Sequence, residues 1–214
     1  MSKIIRPQSS RREFLITSTR FAAARPPAKR PNAGVAWPEL SWRPVARVEP
    51  TVPHGEFVRG DLAPDPAHSR ADSPAWQATA ILTKTKVDTH LFAQFHYAQP
   101  LDLKGTDCLA IETWVPEGQT TPNQLLMILH EEGGGDFIAE TGRSLAAPGR
   151  QRSLIPWSRF HLAGWSKDAD GELDLTRVSD IRVGWGGYFG TEGEKIQFSV
   201  ALPRAGSITA RGKR

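Results

Sequence analysis

From about residue 76 onward, apolar and polar side chains alternate in short runs, each closed by Gly, Pro, Asn or Asp. A period of two sends successive side chains to opposite faces, so these runs predict half-buried β-strands rather than helices. Strands are expected over residues 76–86, 89–99, 108–115, 124–131, 137–141, 151–155, 180–185 and 195–202. In the second of these, Leu91, Ala93, Phe95 and Tyr97 share one face, and Phe92, Gln94 and His96 the other. Residues 101–107 read as a turn, Pro116 stops the third strand, and the Gly133-Gly134-Gly135 run reads as a hairpin between the next two. Only residues 157–162 suggest a helical turn. Many short strands without an amphipathic helix predict an all-β fold, a sandwich or a barrel. No internal repeat is visible.

The first third of the chain lacks this alternation. Residues 1–37 are rich in Pro, Ala and Arg with no sustained period, which predicts a disordered basic leader. Residues 37–75 are proline-rich and read as loop or edge material, with short strands expected at 44–48 and 56–58. The expected organisation is a leader over 1–37, one β-sandwich domain over 38–206 and a basic tail over 207–214.

Charge refines that division. The chain carries 27 Lys and Arg against 23 Asp and Glu, a net of +4. Eight of the basic residues fall before position 31, beside the single acid Glu13, and three more lie in the tail. The remaining body holds 16 basic and 22 acidic side chains, a net of −6. A domain with that balance has no electrostatic reason to seek a phosphate backbone, which argues against nucleic-acid binding. No run of apolar residues is long enough to span a membrane. The one cysteine, Cys108, excludes an intramolecular disulfide and falls where a small buried hydrophobe fits.

Ser10, Arg11, Arg12, Phe14 and Leu15 together resemble the twin-arginine export motif, an address read by a receptor. The segment behind it, residues 16–24, is interrupted by Thr17, Ser18, Thr19 and Arg20, where an apolar core of such a leader would stand. A functional leader implies a periplasmic or extracellular protein; without one, the chain stays in the cytoplasm.

Four segments in the body carry a second resemblance. Leu101–Asp107 follows the pattern Leu-Asp-Leu-x-Gly-x-Asp, and residues 109–115 follow Leu-x-Ile-x-x-Trp-Val. Residues 156–160 read Pro-Trp-Ser-x-Phe, and residues 174–181 read Asp-Leu-x-x-Val-x-x-Ile. In this order they resemble the galactose-binding-like jelly-roll domains of carbohydrate-binding modules, over about residues 76–204. The resemblance implies an antiparallel jelly-roll β-sandwich and a non-catalytic protein that binds a polysaccharide or oligosaccharide on a concave sheet face, beside a partner glycan-active enzyme. The same fold implies a second reading, a protein–protein assembly module of the complex I intermediate-associated type. A polysaccharide-degrading enzyme is the third. Members of the family often bind a structural calcium through an acidic residue on the closing strand. Residues 195–202 carry none, which leaves Glu49 and Asp61 as the oxygen donors near the start.

A sugar site needs aromatic faces for the ring and planar polar groups for the hydroxyls, on a rigid sheet. Placing the apolar residues of each strand inward leaves Gln94, His96, Glu112, Trp114 and His130 facing out. Gln151, Ser153 and Arg182 fall on the polar parity of later strands, with Trp185 and Tyr188 expected in the loop beyond. The expected ligand-binding set is His96, Glu112, Trp114, His130, Arg182, Trp185 and Tyr188. Catalytic readings find less support. His90, His96 and His130 lack metal-ligand spacing. Glu131 and Glu132, as strand neighbours, point to opposite faces and cannot flank one bond. The glycine run has no helix behind it to hold a phosphate.

Overall fold

The computed structural model describes residues 40–208; the twin-arginine-like motif at Arg11, Arg12, Phe14 and Leu15 lies outside them, as do residues 1–39 and 209–214. The described strands are β1 (Leu40–Pro44), β2 (Val58–Pro64), β3 (Ala75–Leu82), β4 (Thr89–Leu101), β5 (Cys108–Val115), β6 (Gln124–Glu131), β7 (Asp136–Ser144), β8 (Gly149–Pro156), β9 (His161–Leu162), β10 (Val178–Gly187), β11 (Lys195–Ala201) and β12 (Arg204–Ile208). A single 3-10 turn, Trp157–Arg159, is the helical element among them.

All pairings are antiparallel, and they build two sheets. The five-stranded sheet runs β4-β10-β6-β7-β9. The seven-stranded sheet runs β1-β12-β5-β11-β3-β2, with β8 on the other side of β5. β11 and β12 lie end to end along β5: Ser199 and Val200 pair with Trp114 and Thr113, and Arg204 to Gly206 pair with Ala110 to Cys108. The break between them holds Pro203, which has no N–H to give a ladder. The fold is a β-sandwich of the jelly-roll kind.

The core is the set of inward positions that the alternation marks. Leu91, Ala93, Phe95 and Tyr97 of β4 are buried with Ile181, Val183 and Trp185 of β10 and with Leu125, Met127 and Leu129 of β6. Facing them are Ala78, Ala80 and Leu82 of β3, Ile196, Phe198 and Val200 of β11, and Leu109 and Ile111 of β5. The Trp76 and Phe95 rings meet edge to face between the sheets, centroids 5.7 Å apart. Arg143 of β7 is also buried, and it donates to the Gly149 carbonyl and to Gln151 Oε1, pinning from inside the β7–β8 connection that crosses between the sheets.

Three sequence expectations change here. Trp185 is not in a loop: β10 continues to Gly187, and Trp185 sits opposite the inward Leu91, fully buried. Gln151 and Ser153 pair with Thr113 and Ile111, so they lie on the inward side of β8, where they serve the Arg143 network. Polar residues on an inward strand face were misread as outward because Arg143 brings a buried polar partner that no periodicity reveals.

Candidate functional site

The strand register lines up the outward residues of the five-stranded sheet in ranks. The first rank crosses β4, β10, β6 and β7 as His96, Asp180, His130 and Asp136. The second is Gln94, Arg182, Ile128 and Ile138, and the third is Phe92, Gly184, Leu126 and Glu140. His90 and Gly186 pair in the fourth. One end of the sheet is therefore polar and titratable, and the middle is apolar with glycine on β10.

Those glycines shape the surface. A Cβ on Gly184 would run into the Leu91 carbonyl and the Phe92 Cα, so the close approach of β4 admits no side chain there. Farther along, Gly186 and Gly187 leave bare backbone between Phe92 and His90 on one side and Leu126 and Ile128 on the other. The resulting cavity, about 440 Å³, is also lined by Pro53, Asp88, Trp165 and Arg182. A second depression of about 370 Å³, under Pro122, Asn123 and Gln124, shares Leu126 and Gly186 with it. The two make one trough of the volume that small-ligand sites have.

Trp165 stands at its rim, 65% exposed, in the loop after β9. Its Nε1 donates to Asp136 Oδ2 at 3.1 Å, while Asp136 Oδ1 meets His130 Nδ1 at 2.8 Å and Arg182 at 3.6 Å. Asp136 also fixes the loop, since its own N–H donates to Ser166 Oγ at 2.8 Å. Asp180 is buried and accepts from Gln94 Nε2, from His96 Nδ1 at 3.2 Å and from Ser179 Oγ at 3.1 Å. Burial pushes the Asp180 carboxyl up, but the hydrogen bonds from Gln94, His96 and Ser179 and the His96 charge outweigh it and hold the group below the usual carboxylate range. Burial lowers the His90 pKa, Asp88 opposes that, and His54 and Arg182 add to it, so the net favours the neutral ring. The Arg182 Nε is buried with no partner among the described residues.

The structure brings His96, His130 and Arg182 together on this face, and it places Tyr188, 76% exposed, just past the end of β10. It does not bring Glu112 and Trp114 to them. β5 belongs to the other sheet, so both residues lie on the opposite surface of the sandwich. There Trp114 stacks on His68, centroids 4.6 Å apart, and Glu112 is buried among Arg70, Arg150 and Arg152. Parity separates inward from outward positions but does not say to which sheet a strand belongs, and the expected single patch is split for that reason. Trp165 and Asp136 were not singled out from the sequence; Phe92 was read onto the face of Gln94 and His96, and His90 was weighed only as a metal ligand, so neither entered the expected binding set. Trp165 lies in a loop without periodicity, and its only signal was the count of seven Trp, too many for a core alone.

Among the described residues, no three His, Cys, Asp or Glu are grouped as metal ligands. Asp61 accepts its neighbour's N–H, from Leu62, at 2.9 Å. No described helix is long and apolar enough to cross a membrane.

No protein-family model and no curated protein matches the chain. Solved structures do. The family 11 carbohydrate-binding module of a cellulosomal cellulase of Clostridium thermocellum superposes with a TM-score of 0.59 at 11% identity, covering 82% of this chain and 99% of that one. The same module in complex with a β-1,3-1,4-mixed-linked tetrasaccharide gives 0.57 at 13% identity, over 77% and 93%. A family 30 carbohydrate-binding module from another cellulosomal cellulase of that organism gives 0.50 at 10% identity, over 80% and 100%. At these identities the shared property is the fold.

Proposed function

We propose that this protein is a non-catalytic carbohydrate-binding domain and that the trough on the outer face of the five-stranded sheet receives the glycan. The observation that carries the reading is Trp165: a largely exposed indole, held by Asp136, at the rim of a trough whose floor is bare backbone. A sugar ring laid in such a trough stacks its C–H face on the indole. Its hydroxyls meet Arg182, Asp136, His130, Gln94 and His96 along the first two ranks. The modules that share the fold support the reading, and one of them was solved with a β-1,3-1,4-mixed-linked tetrasaccharide.

The same geometry argues against hydrolysis. The two carboxylates of the first rank are each tied to an imidazole, and Asp180 is held below the usual range, so Asp180 is not poised as a general acid at neutral pH. An open trough with one aromatic platform buries little ligand, and a Kd between about 1 μM and 1 mM is expected. Calorimetry with mixed-linked β-glucan oligosaccharides tests this. Binding in that range without reducing ends being released is expected, and release of new reducing ends would overturn the non-catalytic reading.

A further inference from the structure

Arg182 lines the trough from the second rank, between Gln94 of β4 and Ile128 of β6. Its side chain is only 24% exposed. Among the described residues its guanidinium makes no hydrogen bond: Asp136 Oδ1 lies 3.6 Å away, and Nε is buried without a partner. The nearby carboxylates are engaged elsewhere, Asp136 by His130 and Trp165, and Asp180 by Gln94, His96 and Ser179. A guanidinium carries five N–H donors, and one largely withdrawn from water calls for acceptors. A ligand lying in the trough can present them.

Two features narrow what that acceptor is. The first is charge. Asp136 stands beside Arg182, Asp180 lies two residues along the same strand face, and Asp88 lines the trough with it. A ligand carboxylate or sulfate would add a further negative charge to these three, whereas a neutral acceptor would not. The second is the polarity of the surroundings. Beside Arg182 the trough is lined by Ile128, Leu126, Phe92 and Pro53. A hydroxyl that accepts from Arg182 also brings an O–H, for which these side chains have no acceptor. A carbonyl oxygen only accepts, and an alkyl group behind it gains from contact with carbon side chains. Acetyl is a small sugar substituent with both parts, one carbonyl oxygen and one methyl.

We propose that the trough selects acetylated glycans, with the acetyl carbonyl accepting from Arg182 and the methyl lying among Phe92, Leu126 and Ile128. This rests on the reading of the trough as the glycan site and adds the substituent that the site prefers. O-acetyl esters and N-acetyl amides present the same carbonyl and methyl and differ at the linking atom. The other guanidinium N–H donors remain available to the sugar hydroxyls.

The test is a proton–nitrogen NMR titration of the full chain with one oligosaccharide pool in two forms. These are partially O-acetylated glucomannan oligosaccharides and the same pool after alkaline deacetylation; triacetylchitotriose is the third probe. The acetylated pool is expected to shift the Trp165 indole N–H and the amides of Leu126, Arg182 and Gly186 with an affinity about tenfold higher than the deacetylated pool. Nuclear Overhauser contacts from the acetyl methyl to the Leu126 and Ile128 side chains should accompany those shifts. Triacetylchitotriose binding there as tightly as the acetylated pool would extend the preference to N-acetyl groups, and weaker binding would confine it to esters. Arg182→Met, of similar length and without donors, should reduce the preference to about twofold or less. Should that variant unfold, Leu126→Ser, which makes the apolar side polar, should cut the preference several-fold. Equal affinity for both forms of the pool, with triacetylchitotriose no tighter, would overturn the acetyl assignment and leave the trough as the glycan site. A preference that survives in the folded variants would overturn it as well. No shift in the trough with any of the three probes would overturn the reading of the trough itself, and this inference with it.

Discussion

The Trp165 indole donates through Nε1 to Asp136 Oδ2 at 3.1 Å, and the other oxygen of that carboxylate faces His130 at 2.8 Å. An exposed ring is thus anchored by a residue at the β6–β7 hairpin, across a 29-residue separation. This link orders the one large aromatic surface at the trough before any ligand arrives, which lowers the ordering cost of binding.

Trp165→Ala should therefore cost binding rather than folding. The expected result is a loss of glycan affinity of tenfold or more, with a melting temperature within about 2 °C of the native chain, since an exposed side chain contributes little core. Trp165→Phe keeps a stacking face but loses the bond to Asp136, and its affinity should fall between the two. Calorimetry and a thermal melt decide this.

Trp185→Ala should do the reverse. The side chain is fully buried opposite Leu91, with the Phe189 ring edge-on at 5.1 Å. Truncation should destabilise by about 3–5 kcal/mol, measured by denaturant unfolding. A loss below about 1 kcal/mol would mean that the indole is not core.

The contrast between these two tryptophans shows what the sequence could carry. Period-two alternation located the core strands β3 to β8, β10 and β11 closely, and put Leu91, Phe95, Ile111 and Met127 inward, because burial on one sheet face imposes that period. The remaining strands were less legible. β2, at the sheet edge, was expected only at 56–58 and extends to Pro64, because edge strands answer to fewer packing constraints; β12, a short strand set off by Pro203, was not expected. His96, His130 and Arg182 were legible as outward. That Glu112 and Trp114 share neither their sheet nor their face depends on long-range strand order, which no local pattern encodes.

Gly184→Val should damage both stability and binding. Its side chain would strike the Leu91 carbonyl and the Phe92 Cα, and overpacking of this kind costs about 1–3 kcal/mol. It would also push against the Phe92 ring, which lines the trough, and so disturb binding. An unfolding curve unchanged from the native one would contradict the close approach of β4 and β10.

Asp180 sets an acid limit on the first rank. Its folded pKa lies below the usual carboxylate range, so it stabilises the fold above about pH 4 and loses that contribution as pH falls through the folded value. Asp180→Asn should be less stable than the native chain at pH 7, with the gap closing in acid. A gap that stays constant from pH 7 to pH 2 would show that the carboxylate charge is not what matters.

The central claim is that the glycan lies across the five-stranded sheet. The most direct measurement is a proton–nitrogen NMR titration with a β-1,3-1,4-mixed-linked glucan tetrasaccharide. The expected result is saturable shifts at the Trp165 indole N–H and at the amides of Gln94, His96, Arg182, Gly184 and Gly186, with β5 and β8 silent. Shifts at Glu112, Trp114 and Arg152 with the trough silent, or no shifts at millimolar ligand, would contradict it.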